Sequence, residues 1–189
     1  MTRYIAFLRA INVGHGRTLT METLRRYLKP LDLEDVTTFI GSGNVMFSSS
    51  ARSPRALEEK IEERLRQAMK VEVPTFLRTE AELARIAVYQ PFASALAEPD
   101  DEVNIIFLAG ELDETTAQNV VALTTETDEF VVHEREIYWL RRRKAGGAAY
   151  STVVLERVLQ RPFTIRTSRT VRKIAAKYSE AYQSLFNLG

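Results

Sequence analysis

The feature that most constrains the fold is an apolar run near the start of the chain. Residues 4–11 read Tyr-Ile-Ala-Phe-Leu-Arg-Ala-Ile, and Arg9 is their only charge. A strand this apolar is typical of the centre of a sheet, where both faces are covered. Arg9 then needs partners, because a buried guanidinium without them is strongly destabilising. The run ends at Asn12 and Gly14, so a central strand leads directly into a polar loop.

The elements after this strand predict a known topology. Periodicity predicts strands at 4–11, 35–40, 45–49 and 71–77, and helices at 20–30 and 54–69. Thr20 is the expected N-cap of the first helix, and Ser53-Pro54 starts the second. The order βαββαβ is the split-βαβ or ferredoxin-like pattern. Its sheet order, 4-1-3-2, places the first strand at the centre and Pro74 in an edge strand, where a missing N–H is tolerated.

The same order of elements then recurs. Strands are predicted at 103–109, 129–133, 137–141 and 163–166, with helices from Asp113, at 150–160 and from 168. We therefore predict an α+β fold of two tandem ferredoxin-like (βαββαβ) units with an extra C-terminal helix. Residues 1–78 form the first unit, 79–102 a connecting helix and linker, and 103–189 the second unit with the final helix. One interleaved α+β domain is the alternative.

The two predicted units share the order of their elements, but no repeat of individual residues is visible between them. Alternation along strand 137–141 predicts that one of the neighbouring Tyr138 and Trp139 lies in the core and the other faces solvent.

Charge is strongly segregated, although the net charge is only +1. Residues 1–97 carry +3, residues 98–134 carry −11 with no Lys or Arg, and residues 135–189 carry +9. A basic third of this kind attracts phosphates, but the acidic third can equally neutralise it. The chain has no cysteine, and the apolar run is too short to span a bilayer. We expect a cytoplasmic protein with no cofactor, no metal site and no membrane partner.

Topology predicts a first anion site where the loop after strand 1 meets the turn between strands 2 and 3. Both lie at one rim of a βαββαβ sheet. Flexible backbone N–H groups, Asn and Ser side chains and a guanidinium are suited to phosphate or carboxylate. The candidate ligands of this site are Arg9, Asn12, Gly14, Arg17, Ser42, Gly43 and Asn44. Structural roles compete with this interpretation, because loop Gly and Asn residues commonly shape turns.

A second candidate site lies at the start of the final helix. Thr167 or Ser168 is the expected N-cap, so the positive end of the helix dipole favours an anion there. Its candidate ligands are Ser151, Arg166, Thr170 and Lys173, beside the loop that follows Arg141. Arg166, Arg169, Lys173 and Lys177 follow one another at helical spacing. Such a basic stripe is also typical of an ordinary solvated face.

Motifs along the chain resemble those of one bacterial family. They are Phe7-Leu-Arg9-Ala-Ile-Asn12-Val-Gly14, Met21 with Leu24-Arg25, Thr38 to Phe47, Ile137-Tyr138, Gly146, Ser151 and Thr164 to Lys173. By these motifs the chain resembles the family named domain of unknown function 1697, along nearly its whole length. Ala10 and His15 stand where glycines are usual, Thr152 replaces a lysine, and Thr167-Ser168-Arg169 replaces an Asn-Trp-Asn triplet. The family has no established activity, so the resemblance implies none.

Three functional hypotheses follow from these residues. The first is a protein that binds a phosphate-bearing or other anionic small molecule. The second is an enzyme acting on a phosphorylated metabolite, in which His15 is the only local side chain that titrates near neutral pH. The third is nucleic-acid binding through the basic C-terminal third, although the interleaved aromatic residues that stack on bases are missing. The oligomeric state stays open.

Overall fold

A computed structural model describes residues 1–9, 19–41, 43–92, 101–142 and 152–186. The strands are β1 (Thr2–Leu8), β2 (Glu34–Thr38), β3 (Asn44–Ser49), β4 (Thr75–Thr79), β5 (Glu102–Phe107), β6 (Asp128–His133), β7 (Glu136–Arg141) and β8 (Thr164–Thr167). The helices are α1 (Met21–Leu28), α2 (Pro54–Met69), α3 (Glu80–Val88), α4 (Glu114–Val121), α5 (Thr152–Leu159), α6 (Ser168–Tyr178) and α7 (Glu180–Phe186). Over the described residues this is a mixed α/β fold with two four-stranded antiparallel sheets.

The first sheet has the order β2-β3-β1-β4, which confirms the predicted strand order and the central place of β1. Alternate residues of β1 pack with α1 and α2, and this cluster contains Tyr4, Ala6, Leu8, Leu24, Leu28, Leu57, Ile61 and Leu65. Ile5 and Phe7, which point to the other face, are also fully buried. Both faces of β1 are covered, as its apolar run predicts.

Local signals account for the starts of α1 and α2. Thr20 Oγ1 accepts a hydrogen bond from the Thr23 N–H at 3.2 Å, and Ser53 Oγ accepts one from the Ala56 N–H at 3.2 Å. The predicted helix 54–69 is therefore confirmed at both ends. Strand β4 begins four residues later than predicted, at Thr75. The reason is that α2 ends in a left-handed residue, Lys70, with φ of 60°, and the chain uses the next residues to turn back.

The second sheet has the order β6-β7-β5-β8, the same topology as the first. Its core joins β5, β6 and β7 to α4 and α5 through Ile106, Leu108, Val120, Phe130, Ile137, Trp139, Leu155 and Leu159. Tyr138 and Trp139 are both buried, at 1% and 2% exposure. The prediction that one of them faces solvent is wrong, because Tyr89 packs edge-on against Tyr138 while Phe130 stacks on Trp139.

The two sheets share a residue-level repeat that the sequence alone did not reveal. Strand β1 contains Ile5-Ala-Phe-Leu8, and β5 with the residue after it reads Ile105-Ile-Phe-Leu108. The strands beside them carry a matching arginine in the same register, since Ile5 pairs with Arg78 and Ile105 pairs with Arg166. The match is too short to detect without the register that aligns it.

The chain forms two compact units whose membership differs from the predicted division. The first unit combines Met1–Ala87 with Arg172–Gly189, and the second is Val88–Val171. The last residues join the first unit because Ser179 Oγ donates to the Glu80 carbonyl at 3.3 Å and the Glu180 N–H donates to the Glu80 carboxylate. The single final helix that was expected is two helices, α6 and α7, with Ser179 between them.

Candidate functional site

The exit of β1 meets the β2–β3 turn at one rim of the first sheet. The Leu8 N–H donates to the Gly43 carbonyl at 2.8 Å, and the Arg9 N–H donates to the Pro74 carbonyl at 2.9 Å. Arg9 is half-buried and follows directly after the paired strand. The predicted rim is present at these flanking residues. Asn12, Gly14, His15, Arg17 and Ser42 lie outside the described residues, and their part in the site stays a prediction.

The turn at this rim is strained and is held by a buried side chain. Ile40 and Gly41 both have positive φ, at 52° and 88°. Glycine adopts this conformation freely, whereas a β-branched residue there is a steric outlier. Asn44 Nδ2 donates to the Phe39 carbonyl at 3.0 Å and to the Ile40 carbonyl at 3.1 Å, so the Asn44 amide nitrogen already serves the turn.

A lysine that sequence reasoning placed only in a basic stripe lies at the same turn. The Lys177 ammonium is 4.6 Å from the centroid of the Phe39 ring and 5.3 Å from that of Tyr178. The two rings meet edge-to-face at 5.7 Å. Phe39 belongs to the β2–β3 connection, because its N–H donates to the Asn44 carbonyl at 3.3 Å. Lys177 therefore adds a positive charge beside the turn, which no local sequence signal indicates.

The second candidate site is built around the junction of β8 and α6. Thr167 is the N-cap of α6, since the Thr170 N–H donates to its Oγ1 at 3.1 Å. Arg166 turns back along its own strand and donates to the Ile165 carbonyl at 2.7 Å and to Thr164 Oγ1 at 2.8 Å. Burial lowers the pKa of Arg166 to about 10. Lys173 lies at an exposed position further along α6.

These contacts show which members of the second site come together. The structure brings Arg166, Thr167 and Thr170 to one helix start, but part of this start is occupied by the Thr167 cap. Arg141 lies opposite Glu102 and Thr167 lies opposite Asn104 at the beginning of β5. The end of β7 and the start of α6 therefore lie at the same end of the second sheet. Ser151 lies outside the described residues.

Sequence reasoning missed a buried arginine. Arg78 is 1% exposed and is the largest fully buried side chain in the described residues. Its guanidinium donates to the Leu77 carbonyl at 2.7 Å, the same contact that Arg166 makes to Ile165. The two arginines share a sequence signal, an aliphatic residue followed by Arg-Thr, in Leu77-Arg78-Thr79 and Ile165-Arg166-Thr167. The signal becomes visible only when the strand register aligns the two segments.

A buried carboxylate lies next to this arginine. Glu58 accepts a hydrogen bond from the Leu77 N–H at 2.8 Å and pairs with Arg55 at 3.3 Å. Burial raises the pKa of Glu58, while the Leu77 N–H and the positive charges of Arg55 and Arg78 act in the opposite direction. The interior of the first unit therefore holds opposite charges close together.

Within the five described ranges, no group of three or more His, Cys, Asp and Glu side chains is arranged to hold a metal ion. In the same ranges no helix combines the length and apolar character needed to cross a bilayer.

The fold and the rim define a mixed α/β protein with two repeated sheets and a polar rim at the end of its central strand. The chain belongs to the family described as protein of unknown function (DUF1697), which matches residues 1–138. This confirms the resemblance seen in the motifs, although those from Gly146 to Lys173 lie beyond the matched residues. Among solved structures, the chain is similar to a conserved bacterial protein, SP0830 from Streptococcus pneumoniae, with 25% identity and a TM-score of 0.69. The similarity covers 94% of this chain and 98% of that chain. No curated protein matches the chain.

Proposed function

We propose that this protein binds a small anionic molecule, of the phosphate or carboxylate class, at the rim of the first sheet. The observation that carries the proposal is the hydrogen bond from the Leu8 N–H to the Gly43 carbonyl at 2.8 Å. It places Arg9 at the same end of the sheet as the turn. Lys177 contributes a second positive charge at Phe39. Charge-assisted hydrogen bonds from such groups are the usual means of holding an oxyanion.

We infer that the two sheets belong to two tandem ferredoxin-like units. The order β2-β3-β1-β4 and its repeat β6-β7-β5-β8 support two tandem ferredoxin-like units. Because that fold hosts many unrelated functions, it does not name a ligand. The absence of cysteine fits the cytoplasm, where we propose that the protein works.

Within this proposal, residues of the rim have different roles. Arg9 and Arg17 supply guanidinium groups, Gly14 and Gly43 supply backbone N–H groups, and Asn12 and Ser42 supply polar side chains. Asn44 acts through the turn, because its Nδ2 binds the Phe39 and Ile40 carbonyls. A separate candidate site comprises Arg166, Thr170, Ser151 and Lys173. It is secondary, because Thr167 Oγ1 already accepts the Thr170 N–H.

Calorimetric titration with inorganic phosphate, sulfate and mononucleotides tests the first rim. We expect Arg9→Ala and Lys177→Ala each to weaken binding by roughly 1.5–3 kcal/mol, the range for a hydrogen bond to a charged group. Arg52→Ala and Lys60→Ala are matched controls, because both side chains are exposed elsewhere in the first unit. Equal weakening in the controls, or no binding of any of these anions to the unaltered protein at low salt, refutes the proposal.

Nucleic-acid binding is the second candidate, supported by one observation. Arg169, Lys173 and Lys177 are exposed and recur every four residues along α6, which places them on one face. Binding of short RNA with a steep dependence on log salt is the expected signature, and the double substitution Arg169→Ala, Lys173→Ala is expected to make it shallower. A wild-type protein that binds neither RNA nor DNA at about 50 mM salt excludes this function.

A further inference from the structure

A second surface, in the other unit, lies between α4 and the edge strand β6. It is a groove of about 610 Å³ with apolar walls that include Ala117 and Val121 from α4 and Phe130 and Val132 from β6. Val121 is 46% exposed, so the groove opens to solvent. Glu114 also lines it. This surface is independent of the proposed anion site.

The outer side of β6 presents backbone groups beside the groove. In an antiparallel strand, successive residues point their N–H and C=O groups alternately toward and away from the neighbour. The Asp128 and Phe130 N–H groups point outward, since they donate to the Thr125 and Thr124 hydroxyls. Val132 is the next residue with this orientation. Among the described residues, its outward N–H and C=O have no hydrogen-bond partner.

The repeated first sheet provides an internal comparison. Its equivalent edge strand, β2, is interrupted by a register shift between Glu34 and Thr37, where Asp35 has φ of 53°. Bulges and charges of this kind protect an edge from pairing with another strand. Strand β6 pairs with β7 without interruption from Asp128 to His133. The second unit therefore lacks the bulge that interrupts the edge of the first.

We propose that this groove binds a short extended segment of a partner protein, in which basic and apolar residues alternate. The segment adds a short strand to β6 through the Val132 N–H and C=O, and its apolar side chains enter the groove over α4. Strand addition of this kind takes affinity from backbone hydrogen bonds and specificity from side-chain pockets.

Charge decides the kind of partner. Residues 98–134 contain 11 Asp and Glu and no Lys or Arg. Some of this charge is matched within the unit, since Glu129 pairs with Arg142 at 2.8 Å. Glu114 at the groove and Glu126 before β6 belong to this acidic excess, whose field attracts a basic segment. A second copy is disfavoured, because β6–β6 pairing brings two such acidic segments side by side, and like charges repel.

The test uses a fluorescein-labelled seven-residue peptide of alternating Lys and Val, followed by fluorescence anisotropy with the full chain at low salt. Val132→Pro removes the outward N–H and leaves the β6–β7 pairing intact, and it keeps an apolar side chain in the groove wall. Val121→Lys places a positive charge in the groove. We expect each to weaken binding roughly three- to tenfold. Val153→Lys is the matched control, because Val153 is 48% exposed on α5 and lies outside the groove.

Several results would overturn the proposal. They are equal binding of a matched seven-residue peptide of alternating Glu and Val, no binding of the Lys-Val peptide up to about 1 mM, and equal weakening by Val153→Lys. A dimer in sedimentation that Val132→Pro dissociates identifies a second copy as the occupant instead. If Val132→Pro fails to fold, a Lys-Val peptide methylated on its backbone nitrogens replaces it, and undiminished binding of that peptide refutes strand addition.

Discussion

Asn44 shows how a single buried side chain links fold and site. It is 3% exposed and starts β3, and its side-chain amide donates hydrogen bonds to two carbonyls of the preceding turn. The turn contains Ile40 in a left-handed conformation, which costs roughly 1–2 kcal/mol for an L-residue with a Cβ. These hydrogen bonds compensate for the strain and hold the turn against the end of β1.

Removing this amide is expected to destabilise the fold. Asn44→Ala deletes both donors and leaves two carbonyls without them, so we expect a loss of about 1–3 kcal/mol in the free energy of unfolding. Ile40→Gly, which relieves the positive φ at an exposed position, is expected to stabilise by about 0.5–1 kcal/mol. Urea denaturation measures both. A neutral Asn44→Ala would show that the turn is held by other contacts.

Glu58 gives a pH-dependent prediction. Burial raises its pKa above the ordinary value of 4.5, so the folded protein keeps this proton to a higher pH than the unfolded chain does. The stability from the protonated form is full below the unfolded pKa and is lost as pH rises through the folded pKa. Gln keeps an acceptor for the Leu77 N–H but cannot ionise.

We therefore expect the unfolding free energy of the wild type to fall relative to that of Glu58→Gln as pH rises from about 4 to about 7. Glu59→Gln is the control, because Glu59 also pairs with Arg55, at 3.2 Å, but is 60% exposed. Urea denaturation across this range gives the difference at each pH. A difference that stays constant, or grows in the wild type's favour, contradicts the argument.

At the scale of elements, helices were predicted well from local sequence, whereas features that depend on packing against the sheets were missed. Caps and periodicity predicted α1 and α2 because both signals lie within a few residues of the helix. The shift of β4 and the burial of both Tyr138 and Trp139 were missed because they depend on what packs against the sheet. The repeated Arg-Thr pair at Arg78 and Arg166 was missed because only strand register aligns it.

The repeat predicts that the N-caps of α3 and α6, Thr79 and Thr167, make similar contributions to stability. Thr79 accepts from the Glu82 N–H at 3.2 Å and donates to the Glu82 carboxylate at 2.9 Å, whereas Thr167 is paired with Thr170. We expect Thr79→Val and Thr167→Val each to cost about 1 kcal/mol of stability, with Thr79 the larger because its cap is reciprocal. The exposed Thr115→Val is the control, expected within about 0.5 kcal/mol. Thermal denaturation distinguishes these, and a costless Thr167→Val would deny the equivalence.

At the scale of the whole molecule, the candidate site was only partly accessible from sequence. Topology brought the end of β1 to the β2–β3 turn, and the contact between Leu8 and Gly43 is present. Lys177 was not expected there, because its place at Phe39 depends on the return of residues 172–189 to the first unit. That return depends on contacts between residues about one hundred positions apart, which no local pattern encodes.

Glu80 is the main anchor of that return and provides its test. Its carboxylate accepts from the Glu180 and Ala181 N–H groups and pairs with Arg3 at 3.5 Å. In Glu80→Ala these donors at the start of α7 lose a charged acceptor, worth roughly 1.5–3 kcal/mol.

Hydrogen exchange followed by mass spectrometry is expected to show roughly ten- to hundredfold faster exchange in α7 of Glu80→Ala. Exchange in α4 and α5, which belong to the second unit, is expected to stay unchanged. Glu63→Ala is the matched control, because Glu63 pairs with Arg66 on α2 in the same unit. If α7 exchanges equally in Glu80→Ala and Glu63→Ala, the C-terminal residues are held by packing around Tyr178 instead of by Glu80. Phosphate titration of Glu80→Ala adds a second measurement. If the variant that loosens α7 also binds phosphate more weakly, the return of the C-terminal residues is what holds Lys177 at the rim.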